Sequence, residues 1–422
     1  MRRYDAMRDS GIVWIGEIPS HWRFLRMKNI FRNVSEKNHP DAEVLSLYRE
    51  YGVLPKNSRD DNHNVTSEDT GSYKFVRVSD LVINKMKAWQ GSLAISGYEG
   101  IISPAYYVCH FITDDVSKRY YHYLLRSKNY AQEFERLSTG MRVGQWDLGI
   151  DDFMSIPALV PPLSEQESIA RYLDEQLSYI DSAVEEARNS IEDYKKWKFS
   201  MIYEAVTKGL DSGNEMRSSG IRWIGELPSS WAIRALFQLV TQVKNKNVDL
   251  SEKNLLSLSY GKIKRKSIDT TDGLLPASFD GYNIIEANDI VLRLTDLQND
   301  HTSLRVGRAT ERGIITSAYV TIRPMEGVNS EYLYYVLHAF DLKKGLYGMG
   351  SGVRQGLNYD EVKMIKIPYA PEHIQSQIVA YLDEQCKTIE SIIEEKQALI
   401  SDLEFYKRSL IYEVVTGKRK VV

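Results

Sequence analysis

The sequence predicts two α/β (α+β) domains alternating with two long helices that pair as an antiparallel coiled coil, all within an internal pseudo-two-fold repeat. Three observations carry this expectation. The chain repeats itself at a period of about 209 residues. Two stretches combine heptad-like apolar spacing with an absence of proline and internal glycine. The sequence between them is β-rich and punctuated by turns.

The repeat is read from four blocks in one order. SGIVWIGEIPSHW (Ser10–Trp22) returns as SGIRWIGELPSSW (Ser219–Trp231), and GIISPAYYV (Gly100–Val108) returns loosely as GIITSAYVT (Gly313–Thr321). IARYLDEQ (Ile169–Gln176) returns as IVAYLDEQ, and IYEAVT (Ile202–Thr207) as IYEVVT. A period this long is a duplicated domain-plus-helix unit, not a solenoid repeat. Residues 23–99 and 232–312 share little, as expected if one frame carries two different surfaces. The boundaries read as a domain over 1–163, a helix over 164–208, a second domain over 209–372, and a helix with a tail over 373–422.

Both helical stretches follow proline-containing stop signals, ALVPPLSEQ and IPYAPEHIQ. Ser164 is placed to cap the first, with Glu165 in its first turn. One seam runs Leu173, Gln176, Ile180, Ala183, Ala187, Ser190, Tyr194, Trp197, Met201. Its mate runs Leu382, Gln385, Ile389, Ile392, Lys396, Leu399, Leu403, Tyr406, Leu410. Steps alternating between 3 and 4 predict coiled-coil packing. Packed antiparallel, helices of 45 residues would form a rod of about 68 Å between two globular domains.

Charge is unevenly spread. The net charge is −3, yet residues 164–208 and 373–417 each carry −4, which leaves +5 for the rest. Residues 242–266 hold seven basic and two acidic side chains, a local footprint suited to phosphates. No apolar run approaches the roughly 18 residues of a membrane span, and the charged N-terminus lacks the apolar core of a signal peptide. Cys109 and Cys386 sit at unrelated places in the two halves, which predicts free thiols and a cytoplasmic protein.

Three places offer groups for nucleic acid. INKMKAWQGSLAIS (Ile83–Ser96) gathers Lys85, Lys87, Trp89 and Gln90 near a turn, where lysines suit phosphates and glutamine suits adenine in the major groove. VLRLTDLQNDHTSLRVGRA (Val291–Ala309) offers Arg293, Arg305 and Arg308, and the basic stretch adds Lys262, Lys264, Arg265 and Lys266. Two glycine-flanked loops, TGMRVGQW and GMGSGVRQG, each pair an arginine with a glutamine: Arg142 with Gln145, and Arg354 with Gln355. The structural readings stand beside these: Trp89 in a core, and each arginine on an ordinary turn. Trp14 and Trp223 read as packing anchors. No P-loop, zinc-protease helix or paired-cysteine metal motif occurs. GMGSGVRQG follows a helix-like stretch and not a strand, so it is no dinucleotide loop.

Taken together, the doubled SGIxWIGExP opening, KMKAWQGSLAISGYEGIISPAYYV, PPLSEQESIARYLDEQ and the doubled IYEAVT/IYEVVT resemble the specificity subunits of type I restriction-modification systems across essentially the whole chain. That resemblance implies two target recognition domains held by two helical regions, each domain reading half of a split, asymmetric site on double-stranded DNA. It implies docking of two modification subunits that methylate adenine, with room for restriction (motor) subunits. It further implies a non-catalytic chain that binds no cofactor itself, S-adenosylmethionine, ATP and magnesium belonging to the partners. The competing reading is a coiled-coil adaptor that binds proteins and not DNA.

Overall fold

A computed structural model describes residues 3–59, 70–142, 145–267, 278–300, 303–347, 349 and 356–421. The chain divides into two compact units, Met1–Arg188 with Gln397–Val422, and Asn189–Lys396. Each unit holds one sheet-bearing domain together with part of both long helices.

In the first unit a four-stranded sheet runs in the order Phe31–Val34, Tyr106–Phe111, Leu81–Asn84, Leu93–Ile95. In the second the order is Val240–Gln242, Val320–Pro324, Ile290–Leu292, Val306–Arg308. Every pairing between these strands is antiparallel, so the class is α+β. The alternation of strands explains a three-layer build. Leu81 and Ile83 face the helices, packing with Tyr121, Leu124 and Phe153, while Val82 between them faces a second cluster with Leu45, Val53 and Val108. In the second unit Ile290 and Leu292 join Tyr332, Val336 and Leu382, and Val291 joins Leu256, Leu258 and Ile315 on the other face.

The long helices span Leu163–Lys208 and Glu372–Val415. The first begins one residue before the expected cap, so Ser164 lies inside its first turn. Buried Gln166 turns back to donate to Pro161 O (2.8 Å), and Gln375 does the same to Ala370 O (2.7 Å) in the second. Glu165 accepts from Tyr4 Oη, from His21 Nε2 (2.9 Å) and from Trp22 Nε1 (3.2 Å), which ties the helix start to the repeated opening motif.

Within each unit the helices run antiparallel. Asp181 and Arg188 meet Lys407 (2.5 Å) and Glu404 (3.1 Å) in the first. Tyr194 and Lys198 meet Lys396 (5.9 Å, over the ring) and Glu390 (2.5 Å) in the second. The buried seam corrects the expected one at every second position. Leu173, Ile180, Ala187 and Met201 are buried as expected, but they alternate with Leu177, Val184 and Ile191, not with Gln176, Ala183 and Ser190. Trp197 is 52% exposed. On the second helix Cys386 takes the place expected for Gln385, and Leu399 and Tyr406 are exposed. A 3–4 alternation entered with the wrong step keeps one of its two positions and shifts the other by one residue.

Each repeated helix end closes a core. Tyr203 Oη donates to Trp223 O (2.9 Å) in the second unit, where the helix end and the opening motif are neighbours in sequence. In the first unit the same closure is made by the far end of the chain: Tyr120 Oη donates to Val415 O (2.9 Å) and Lys418 Nζ to Ile15 O (3.0 Å). Trp14 and Trp223 are packing anchors, edge-on to Tyr130 (4.9 Å) and Phe340 (5.1 Å). Cys109 and Cys386 are buried free thiols.

Candidate nucleic-acid interface

The two sheets carry one feature in two versions: the connection between their last two strands. In the first unit it covers residues 85–92, a tight 3-10 turn at Ala88–Gln90 closed by Gly91 in the left-handed region (φ 77°). In the second it covers residues 293–305. Each is sewn to the segment that follows its glycine-flanked loop. Leu148 N donates to Lys85 O (3.0 Å), and Leu357 N, 209 positions on, donates to Leu294 O (2.9 Å). The residue just after each of the two loops is therefore tied to the strand connection of its own unit.

Lys85 pairs with Asp147 (3.0 Å), and that hydrogen bond holds its ammonium above the ordinary lysine range. Trp89 is half-buried, donates to Met86 O (3.1 Å) and lies against Trp146 (5.3 Å, 57°), so it braces the turn. Lys87 and Gln90 are exposed. Arg142 and Gln145 are cross-strand partners in the hairpin Thr139–Arg142/Gln145–Asp147, and their side chains lie outside the described residues. Arg354 and Gln355 also lie outside them.

In the second unit Arg305 corrects the expectation. Its side chain is 0% exposed, and it donates to the carbonyls of Arg293 (3.2 Å), Thr295 (2.8 Å), Asp296 (3.2 Å) and Asp300, and to Tyr347 Oη (3.0 Å). A guanidinium buried and saturated in this way shapes a loop and cannot reach a phosphate. Arg293 is half-buried and lies 3.4 Å from Asp300. Arg308 is held between Glu331 (2.8 Å) and Asn288 (2.6 Å). The basic stretch forms the hairpin Leu256–Ser259/Lys262–Arg265. There Lys262 reaches Glu390 of the long helix (2.7 Å), Arg265 grips Glu311 (2.7 Å), Lys264 is exposed and Lys266 is half-exposed.

Sequence reasoning passed over a pair of scaffold aspartates. Asp80 accepts from Arg77 N (2.7 Å) and from His110 (2.5 Å); Asp289 accepts from Glu286 N (2.8 Å) and from Arg323 (2.7 Å). Each follows a residue in the left-handed region, Ser79 or Asn288. VSDLVI and ANDIVL, 209 apart, held the signal.

Comparison with known proteins agrees with this architecture. Residues 19–192 match the type I restriction modification DNA specificity domain family. The chain is 25% identical over 371 residues to the type I restriction enzyme MjaVIII specificity subunit of Methanocaldococcus jannaschii, covering 82% of this chain and 83% of that one. In fold it is similar to a chain in a structure of complex assembly and conformational transition of the type I R-M system (TM-score 0.67, 13% identity, 94% of this chain and 98% of that one). It is also similar to the HsdS subunit from Thermoanaerobacter tengcongensis (TM-score 0.52, 13% identity, 95% and 98%). The fold is thus similar to that of these subunits, and residues 19–192 match the DNA specificity domain. Over most of its length the chain is similar to specificity subunits of the type I restriction-modification kind, in line with its doubled motifs.

Proposed function

We propose that this chain is the non-catalytic reader of its assembly, with each unit recognising one half of an asymmetric, bipartite site on double-stranded DNA. One observation carries the reading: two matching sheets bear unequal loops at the same strand connection, residues 85–92 in one unit and 293–305 in the other. One frame with two different surfaces suits two different half-sequences. Lys87, Gln90 and Lys264, exposed on these surfaces or beside them, would meet phosphates and base edges. The glycine-flanked loops would bring Arg142 and Gln145, and Arg354 and Gln355, to the same edges.

The acidic helices suit protein partners. Tyr179, Trp197, Leu399 and Phe405 are large side chains that they leave exposed. Two modification subunits docked there would supply adenine methylation with their own S-adenosylmethionine, and motor subunits with ATP and magnesium would join the same assembly. The test is affinity of the chain, combined with its modification subunits, for duplex DNA across a salt series. A reader gives tight binding to one bipartite sequence and a steep salt dependence. An adaptor assembles with its partners and adds no DNA affinity.

A further inference from the structure

The outer hairpins carry a second repeated feature. LSLYREYG and LSLSYG end on Tyr51-Gly52 and Tyr260-Gly261, 209 residues apart, inside the region where the two halves otherwise diverge. In the second unit the hairpin turns at this dipeptide, and in the first it turns through Arg49, Glu50 and Tyr51, with Gly52 opening the return strand. Both rings stand in solvent, Tyr51 59% and Tyr260 83% exposed. Tyr260 adopts φ 49° and Gly261 φ 75°, a two-residue turn that ordinarily selects Asn-Gly. A bulky residue is disfavoured in that conformation, so local folding does not explain the tyrosine.

The tips lie beside the loops described above. A Cβ on Gly52 would sit 3.4 Å from Ala94 in the strand that follows residues 85–92, and one on Gly261 would sit 3.1 Å from Leu304 in the 293–305 connection. In the first unit Arg126 donates both to Leu93 O (2.9 Å) and to Arg49 O, fastening the tip to the end of the loop. A cation stacks on the first ring, and lysines follow the second in sequence. The Arg59 guanidinium lies 4.0 Å from the Tyr51 ring centroid, and Lys262 and Lys264 follow Tyr260 on its outgoing strand.

We propose that Tyr51 and Tyr260 are aromatic wedges, each packing its ring against a base step of its own half-site. This rests on the reading of the chain as a DNA reader. These cations favour an anionic polymer as the partner, and a base offers a flat face whatever its identity. A rigid turn also presents the ring with little ordering left to lose on binding.

The experiment uses the full chain assembled with its modification subunits, and duplexes carrying 2-aminopurine at successive positions of both half-sites. Binding by the native assembly is expected to raise fluorescence at one step in each half, where stacking is broken. Tyr260→Asn should abolish the rise in one half only and weaken cognate binding roughly ten- to a hundredfold. Tyr260→Phe should keep both, and Tyr51→Ala should act on the other half. Because Asn accepts the left-handed turn more readily than Tyr, the melting temperature of Tyr260→Asn should hold or rise. Unchanged fluorescence and affinity in Tyr260→Asn would overturn the proposal. So would loss of modification subunits with unchanged DNA binding by the assembly that remains, which would assign the rings to protein. Absence of DNA binding by the native assembly would defeat the reader function itself, a result distinct from either.

Discussion

A cationic side chain in sequence reads as a phosphate ligand until its surroundings are known, and Arg305 and Lys264 mark the two extremes. Arg305 satisfies four carbonyls and one hydroxyl in a buried network. Arg305→Met would leave those acceptors unpaired and is expected to cost about 3 kcal/mol or more, read as a loss of urea stability with early proteolysis at residues 293–300. An unchanged unfolding midpoint would refute the structural role. Lys264→Ala should leave stability within about 0.5 kcal/mol and lower the salt slope of DNA binding by about one unit, equally on all sequences.

Two histidines make a further residue-scale prediction. Burial, reinforced by neighbouring cations, lowers His122 and His338 from their ordinary value of 6.5 to about 4. As pH falls the unfolded chain takes up these protons first. The stability tied to both neutral rings is therefore complete above about 6.5 and is lost toward about 4. Thermal melts should drop across that window, and His122→Gln with His338→Gln should flatten the drop. Equal slopes in the native chain and the double variant would contradict this assignment.

Elements were more legible than residues, for a physical reason. A helix seam repeats every seven residues, so Leu173, Ile180 and Ala187 were found from spacing alone. The alternate position depends on whether the first step is 3 or 4, and only the packed partner decides that. Gln176, Ser190 and Trp197 took places that belong to Leu177, Ile191 and Lys198, the last held to Glu390. Leu177→Ala is expected to cost about 2–5 kcal/mol, while Gln176→Ala should change stability by less than about 0.5 kcal/mol. Chemical unfolding of the pair checks it, and equal effects would restore the expected seam. Strands were legible as β-rich runs. The 3-10 turn at Ala88–Gln90 and the carbonyl network around Arg305 were not, because both depend on contacts distant in sequence.

For the whole molecule, the doubled motifs exposed the repeat but not how cores would be shared out. IYEAVT closes the second unit beside it in sequence, whereas IYEVVT closes the first unit more than 390 residues from the segment it covers, as Lys418 to Ile15 illustrates. The compact units divide within the long helices, at Arg188/Asn189 and Lys396/Gln397. Within this arrangement each sheet and its loops belong to one unit only. The most direct measurement of the central claim is to exchange residues 23–160 for the matching region of a relative and map adenine methylation across a host genome. The expected result is a new sequence in one half of the methylated site, with the other half unchanged. A change in both halves, or in neither, would contradict the assignment of one reader to each unit.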